Sequence, residues 1–422
     1  MKYNPTLHKL SNGITVILDP MDLETTNIKV RFNTGSRDEA PEQYGLTHFC
    51  EHMLGKGSTN FPTKKFIDDY MDYYGATRNA STSISQMNTY GRVLGENVSK
   101  LIDFFSDVIQ NSLFDAGKIE IERTVICDEL RRSMDNNSRE YREFLWHKIM
   151  GVPMYRTLGS IENIMSFTRD QMLDWMSKRL SAKNCMIGVS GRIDDADAVL
   201  KQLEERFAFL PTHEVSENKE INATPGIYHN SKQEKQNVKL EILFPEIWDN
   251  TFENIVNEMA VSRFERYMIR KISDILRQEN GLVYGFSGAG LGIENTRFTG
   301  FATQTSTENL KQVVALIAKN AYRIYSNPDI TDEDLDRYNR KDRLGDADWL
   351  ESAGSRCDKL LGFYYSFGRV YDFYEIIRQC DAIAAAEVVE KSRGYFDGSM
   401  SIVTQGADFD IDLKTIWDEN FK

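Results

Sequence analysis

Residues 48 to 52 read His-Phe-Cys-Glu-His, and each polar residue of this H-x-x-E-H string suits a task in zinc-dependent hydrolysis. The stretch around it, residues 45–54, is otherwise mostly apolar and reads as a helix. On a helix His48 and His52 stand at i and i+4, so both imidazoles reach one metal ion from the same face. Glu51 sits beside His52, close enough to touch a water on that ion. Zinc lowers the pKa of such a water from about 15.7 to about 7, and a neighbouring carboxylate then takes its proton as the water attacks a carbonyl. With six histidines in 422 residues, chance supplies this string far less than once.

Two histidines are not a catalytic zinc site, which has three protein ligands and an open fourth position. The best source of a third is the segment Ile119-Glu-Ile-Glu122-Arg-Thr-Val-Ile-Cys-Asp128-Glu129, which has helical periodicity. Glu122 and Glu129 lie seven apart, two turns, and share a face, whereas Asp128 is rotated by about 100° and points elsewhere. One carboxylate can bind the metal while the other hydrogen-bonds a ligand histidine from behind. For either glutamate in isolation, a solvated helix face beside Arg123, Arg131 and Arg132 is the simpler account.

Taken together, His48, Glu51 and His52, then Glu129 after a further 76 residues with Glu122 seven before it, resemble the M16 metallopeptidases, the inverzincins. Asn12-Gly13-Ile14-Thr15-Val16 looks like that family's opening strand, and Gly35-Ser36-Arg37-Asp38-Glu39 like the run before its zinc helix. Residues 153–167 match another familiar stretch. The resemblance implies one zinc ion per chain, held by His48, His52 and Glu129, with Glu51 as general base and Glu122 supporting the site. It also implies that Arg277 and Tyr284, seven apart, hold the substrate carbonyl and stabilise the tetrahedral oxyanion. Read alone, Asn280-Gly281 is a helix stop after which Leu-Val-Tyr284 begins a strand. Asn79 and Ala80, on a strand beginning near Arg78, match the family's exposed edge, where a peptide substrate lies as an added strand.

The elements that must position these residues repeat. In the first half, alternating strands (Ile14-Thr-Val-Ile-Leu18 and Ile28-Lys-Val-Arg-Phe32) precede the zinc helices, and Asn184-Cys-Met-Ile-Gly-Val-Ser-Gly191 closes it. The second half opens at Val238-Lys-Leu-Glu-Ile-Leu-Phe244 and closes at Ser399-Met-Ser-Ile-Val-Thr-Gln-Gly406. Residues 79–111 and 297–327 each run from a strand into an amphipathic helix. The expected fold is α+β: two homologous α/β-sandwich domains, residues 1–210 and 227–422, joined by a polar linker at 211–226. By the resemblance they form half of a four-domain clamshell chamber. A chain supplying two domains is then expected to act as a homodimer, or as a heterodimer with a related M16 protein, on short or unfolded peptides. The alternatives are a non-catalytic assembly subunit and a dedicated processing peptidase for one precursor.

Composition narrows the partners. Hydrophobic content of 41% and charged content of 27% are those of a globular protein, and a net charge of −13 argues against a nucleic-acid footprint. No apolar run approaches the roughly 18 residues of a membrane span. Five cysteines, at 50, 127, 185, 357 and 380, form no C-x-x-C pair. With a start that resembles neither signal peptide nor presequence, they point to the cytoplasm, of a bacterium first and an organelle matrix second. Cys50, about 200° around the helix from His48, reads as a core residue. Two features depart from the family: residues 257–270 carry no glycine where a glycine-rich loop is common, and the run Leu54-Gly55-Lys56-Gly57 has glycine where a bulky residue is common, which implies an altered pocket shape.

Overall fold

The structure, a computed structural model, describes residues 3–216, 221–233, 236–247 and 251–422. They pack as two units, each built on one sheet. The described residues among 3–136, 155–216 and 346–370 form the first unit, and those among 137–154, 221–345 and 371–422 form the second. Packing therefore assigns two segments against the chain order expected from sequence. Of the expected linker, residues 217–220 lie outside the described residues.

The first sheet contains β1 (Thr6–Lys9), β2 (Thr15–Pro20), β3 (Thr25–Phe32), β4 (Thr77–Thr82), β5 (Met87–Leu94) and β6 (Cys185–Gly191), in the order β1-β2-β6-β3-β5-β4. The second contains β7 (Ile227–Ser231), β8 (Asn237–Ile247), β9 (Phe286–Ile293), β10 (Thr296–Ser306) and β11 (Ser401–Gly406), in the order β7-β11-β8-β10-β9. Without β1 the two orders coincide. The pairing senses coincide too: β2 with β6 and β7 with β11 are parallel, and the other neighbours are antiparallel. The fold is two like domains of mixed α and β structure, and the duplication expected from the closing strands is present.

Helices α1 (Leu46–Leu54), α2 (Lys64–Tyr74), α3 (Val98–Gln110), α4 (Ala116–Met134), α5 (Asn137–Met150), α6 (Ile161–Ser166), α7 (Arg169–Arg179) and α8 (Ala196–Phe207) come from the first half. From the second half come α9 (Phe252–Ser273), α10 (Thr307–Ser326), α11 (Asp332–Leu350) and α12 (Ala353–Phe367). Among the described residues no helix is long and apolar enough to cross a membrane.

Strand β3 explains why α12 belongs to the first unit. Its alternation puts Ile28, Val30 and Phe32 on one face and Lys29 and Arg31 on the other, a pattern that ordinarily means one wet face. Here both faces are buried. Helix α12 covers the polar one, bringing Asp358 to pair with Lys29 and, at 3.7 Å, with Arg31. Beside it Arg356 Nε donates to Asp19 Oδ2 at 2.7 Å, with both side chains sealed from solvent. Gly188 on β6 makes the approach feasible, since a Cβ there would lie 2.5 Å from Cys357 Sγ. In the second unit α5 plays the same part, its Tyr141 hydroxyl donating to the Val403 carbonyl of β11 at 3.2 Å.

Candidate metal centre

Helix α1 begins at Gly45, whose φ of 95° lies in the left-handed region and whose Cβ, had it one, would sit 2.6 Å from the Leu158 carbonyl oxygen. Glycine carries no capping side chain, so the first amides of the helix need an acceptor from elsewhere. Glu39 supplies it: its carboxylate accepts from the Gly45 N–H at 2.9 Å and the Thr47 N–H at 2.6 Å. Burial raises the Glu39 pKa to about 8, against the opposing pull of Thr47, Gly45 and Arg156. Arg156 fixes the approach to the helix by donating to the carbonyls of Ser36, Arg37 and Glu39 at 2.7 to 3.0 Å. Residues 153–167, noted above only for their resemblance, thus buttress the loop that starts α1.

On α1 the rings of His48 and His52 lie 4.6 Å apart, centroid to centroid. Helix α4 runs beside it, with Arg123 bonding the Phe167 carbonyl at 2.8 Å and stacking on Phe49 of α1. This brings Glu129 Oε2 to 3.7 Å from His48 Nε2 and 3.5 Å from His52 Nε2. Tetrahedral bonds of about 2.0 to 2.1 Å put neighbouring donor atoms about 3.3 Å apart, so the spacing suits a zinc ion. All three donor atoms fall within 4.8 Å of one another, and among the described residues this is the one such group of His, Cys, Asp and Glu.

Glu122, one ring of residues farther out, accepts at 3.1 Å from His52 Nδ1 and at 2.6 Å from Lys56 Nζ. Burial would raise its carboxyl pKa, but these two hydrogen bonds outweigh burial and hold it below the ordinary value. Burial likewise disfavours charge on His52, yet the bonds to Glu122 and Glu129 and the nearby carboxylates prevail and lift its pKa to about 9. Glu51, half-buried, has its pKa raised chiefly by burial, with His52 and Thr82 opposing, and accepts from Thr82 Oγ1 at 3.0 Å. Asp128 points away and pairs with Arg131 at 2.6 Å. Cys50 is fully buried in the core.

Beside Glu51 and His52 opens a cavity of about 260 Å³ whose lining includes Asn79 and Ala80. Strand β4 is an edge strand, and the Ala80 N–H bonds to the side chain of Asn79 at 2.9 Å. Arg277 and Tyr284 belong to the second unit, where they meet each other, guanidinium to ring centroid 5.6 Å. Tyr284 is 90% exposed. One expectation fails here: no strand begins at Leu282. A π-helical turn (Asp274–Glu279) is capped by Asn280 and followed by Gly281, φ 61°, the Leu282 N–H turns back to the Leu276 carbonyl, and β9 starts only at Phe286.

The description "Insulinase (Peptidase family M16)" fits residues 16–154, and "Peptidase M16 inactive domain" fits residues 166–341. The chain belongs to peptidase family M16. An uncharacterized zinc protease of Rickettsia bellii is 25% identical over 413 residues, which cover 96% of this M16 chain and 98% of that protein. Another, of Rickettsia felis, is 32% identical over 234 residues, 53% of this chain and 56% of that protein; here the match spans only about half of each. The crystal structure of the periplasmic protease PqqL from Escherichia coli superposes with a TM-score of 0.82 at 15% identity, covering all of this chain and 51% of PqqL.

Among the described residues the second domain has no group of His, Cys, Asp and Glu like the one between α1 and α4. Strand and helix order make α9 and α11 the counterparts of α1 and α4. In place of histidines and glutamates they carry Arg266, which donates to Asp342 through both terminal nitrogens, one at 2.8 Å, and Arg270, 3.4 Å from Asp334. Ion pairs tie these two helices where the first domain has its His-His-Glu group.

Proposed function

We propose that this M16 protein is a zinc-dependent endopeptidase that cuts short or unfolded peptides. The observation that carries the reading is the convergence of His48 Nε2, His52 Nε2 and Glu129 Oε2 beside the Glu51 carboxyl and an open cavity. Zinc, when bound, supplies Lewis acidity: it polarises a carbonyl and makes water acidic enough to react near neutral pH. His48, His52 and Glu129 hold it, and Glu122 orients the His52 ring through Nδ1. Glu51 takes the proton of the attacking water and passes it to the leaving amine, a task helped by the raising of its carboxyl pKa by burial. Thr82 fixes one oxygen of that carboxyl and leaves the other to act.

The peptide lies along β4 as an added strand, in which case its backbone takes the Ala80 N–H from Asn79. Arg277 and Tyr284 bind the substrate carbonyl and the oxyanion; the near-complete exposure of Tyr284 supports a role toward a ligand over one in packing. Two chains form the working unit, a reading supported by PqqL, which is about twice the length of this chain. Five buried cysteines, none in a disulfide among the described residues, suit a reducing compartment such as the cytoplasm.

Metal analysis coupled to cleavage of a mixed peptide library tests this function. About one zinc per chain, cleavage abolished by a chelator, and zinc retained but cleavage lost in Glu51→Gln are the expected results. Undiminished cleavage by a zinc-loaded Glu51→Gln variant would sink the assigned mechanism. A zinc-loaded chain that cuts nothing favours a non-catalytic assembly subunit.

A further inference from the structure

We propose that the cavity beside Glu51 receives an acidic side chain of the substrate, next to the bond that is cut, and that Arg78 is the residue that selects it. The proposal rests on the peptidase reading above and names its substrate class. The cavity is bounded by Glu51 and His52 on one side and by Asn79 and Ala80 of the β4 edge on the other. A peptide laid along that edge directs alternate side chains to opposite faces, so one residue flanking the bond at Glu51 points into the cavity.

What that side chain meets is set by Gly55 and Arg78. Gly55, at the end of α1, has no Cβ, and one placed there would stand 2.8 Å from Arg78 Nη1. The guanidinium itself packs into the space a side chain at 55 would take, on the wall of the cavity. It lies on the Phe104 ring, 5.7 Å from the centroid, with its side chain 24% exposed. Among the described residues one hydrogen bond engages it, from Nη2 to Asp68 at 3.3 Å, which is long for a charge-assisted bond. Asp68 also serves Lys64, at 2.5 Å, and Lys64 lines the same cavity. One carboxylate thus answers two cations. Most of the five Arg78 donors remain for a ligand, and a carboxylate is the group their planar fork fits. This cationic pocket runs against a chain of net charge −13.

The test is a peptide library differing at the residues flanking the cut, presented to the zinc-loaded chain and to Arg78→Glu, Arg78→Lys and Gly55→Leu variants. With the native chain, Asp or Glu beside the cut should raise kcat/KM at least about tenfold over Lys, a difference of the size one charged contact supplies. Arg78→Glu should reverse the preference and Arg78→Lys keep part of it. Gly55→Leu, which alters no charge, should reduce it by displacing the Arg78 guanidinium from the space beside position 55. In parallel, fluorescence anisotropy of the same acidic and basic peptides on Glu51→Gln, with and without Arg78→Glu, reads binding alone. Acidic-peptide binding that follows Arg78, while the zinc-loaded native chain cuts none of the peptides, keeps the pocket and overturns the peptidase reading. Cleavage with the same preference in native and Arg78→Glu chains overturns the pocket and keeps the peptidase, and so does a native preference for apolar residues on both sides of the cut.

Discussion

His52 stands between two glutamates of α4: its Nδ1 is 3.1 Å from Glu122 and its Nε2 is 3.5 Å from Glu129. One ring nitrogen is thereby committed to orientation and the other is left as a donor. Glu122→Gln should keep the ring in place weakly, remove the anion that also neutralises Lys56, and lower zinc affinity by about 10- to 100-fold. Competition with a chelator of known affinity measures this. An affinity equal to that of the native chain would show that Glu122 only balances Lys56.

Proton and metal compete for the same ring. Without metal, the His52 pKa of about 9 means that the ring carries a proton at neutral pH, and a metal ligand must be neutral. Zinc binding must therefore release that proton. Apparent affinity is expected to climb by about tenfold per pH unit from pH 6 toward 9 and then to level off. Calorimetry in buffers of different ionisation enthalpy counts the protons released; a count of zero at pH 7 contradicts the expectation.

Glu39 gives stability a pH dependence of the opposite kind. Its carboxyl has an ordinary value of 4.5 when exposed and about 8 when buried under α1, so the folded chain holds this proton more tightly than the unfolded one. The stabilisation is complete below pH 4.5 and is lost as pH rises through 8. Glu39→Gln imitates the protonated acid. Thermal unfolding at pH 5 and pH 8 should show a smaller loss in this variant than in the native chain.

Asp19 and Arg356 form a sealed ion pair between β2 and α12. Arg356→Met leaves a buried carboxylate without its partner and should cost about 3 to 5 kcal/mol, whereas joint replacement of Asp19 by Leu and Arg356 by Met should recover most of that. Urea unfolding of the two variants decides it. A double variant as unstable as the single one would mean that packing, not charge, holds α12.

Spacing alone was enough to bring His48 and His52 onto one face and to pair Glu122 with Glu129, because both relations lie within single helices. The duplication was legible for a similar reason, since strand and helix periodicity survive in each copy. What escaped depends on contacts between distant segments. Lys29 and Arg31 read as a wet strand face because Asp358, their partner, lies more than 300 residues later. Arg78 under Gly55, Glu39 as the cap of α1 and Lys56 on Glu122 are side-chain meetings that no periodicity encodes. The sole available signal was a helix opening on Gly-Leu-Thr with no capping side chain of its own. At Leu282 the apolar run suggested a strand, but the Gly281 turn spends the next residues returning to the helix.

The position of α12 in the chain has a consequence for biosynthesis. The first sheet gathers its six strands by Gly191, yet the helix that covers Lys29, Arg31 and Asp19 is not complete until Phe367. A ribosome-bound chain that already carries His48, His52 and Glu129 must therefore wait for some 175 further residues before the charged face of the first sheet is closed. At about 5 to 20 residues per second that is an interval of roughly ten seconds or more, in which the nascent chain exposes buried cations and is open to misassembly.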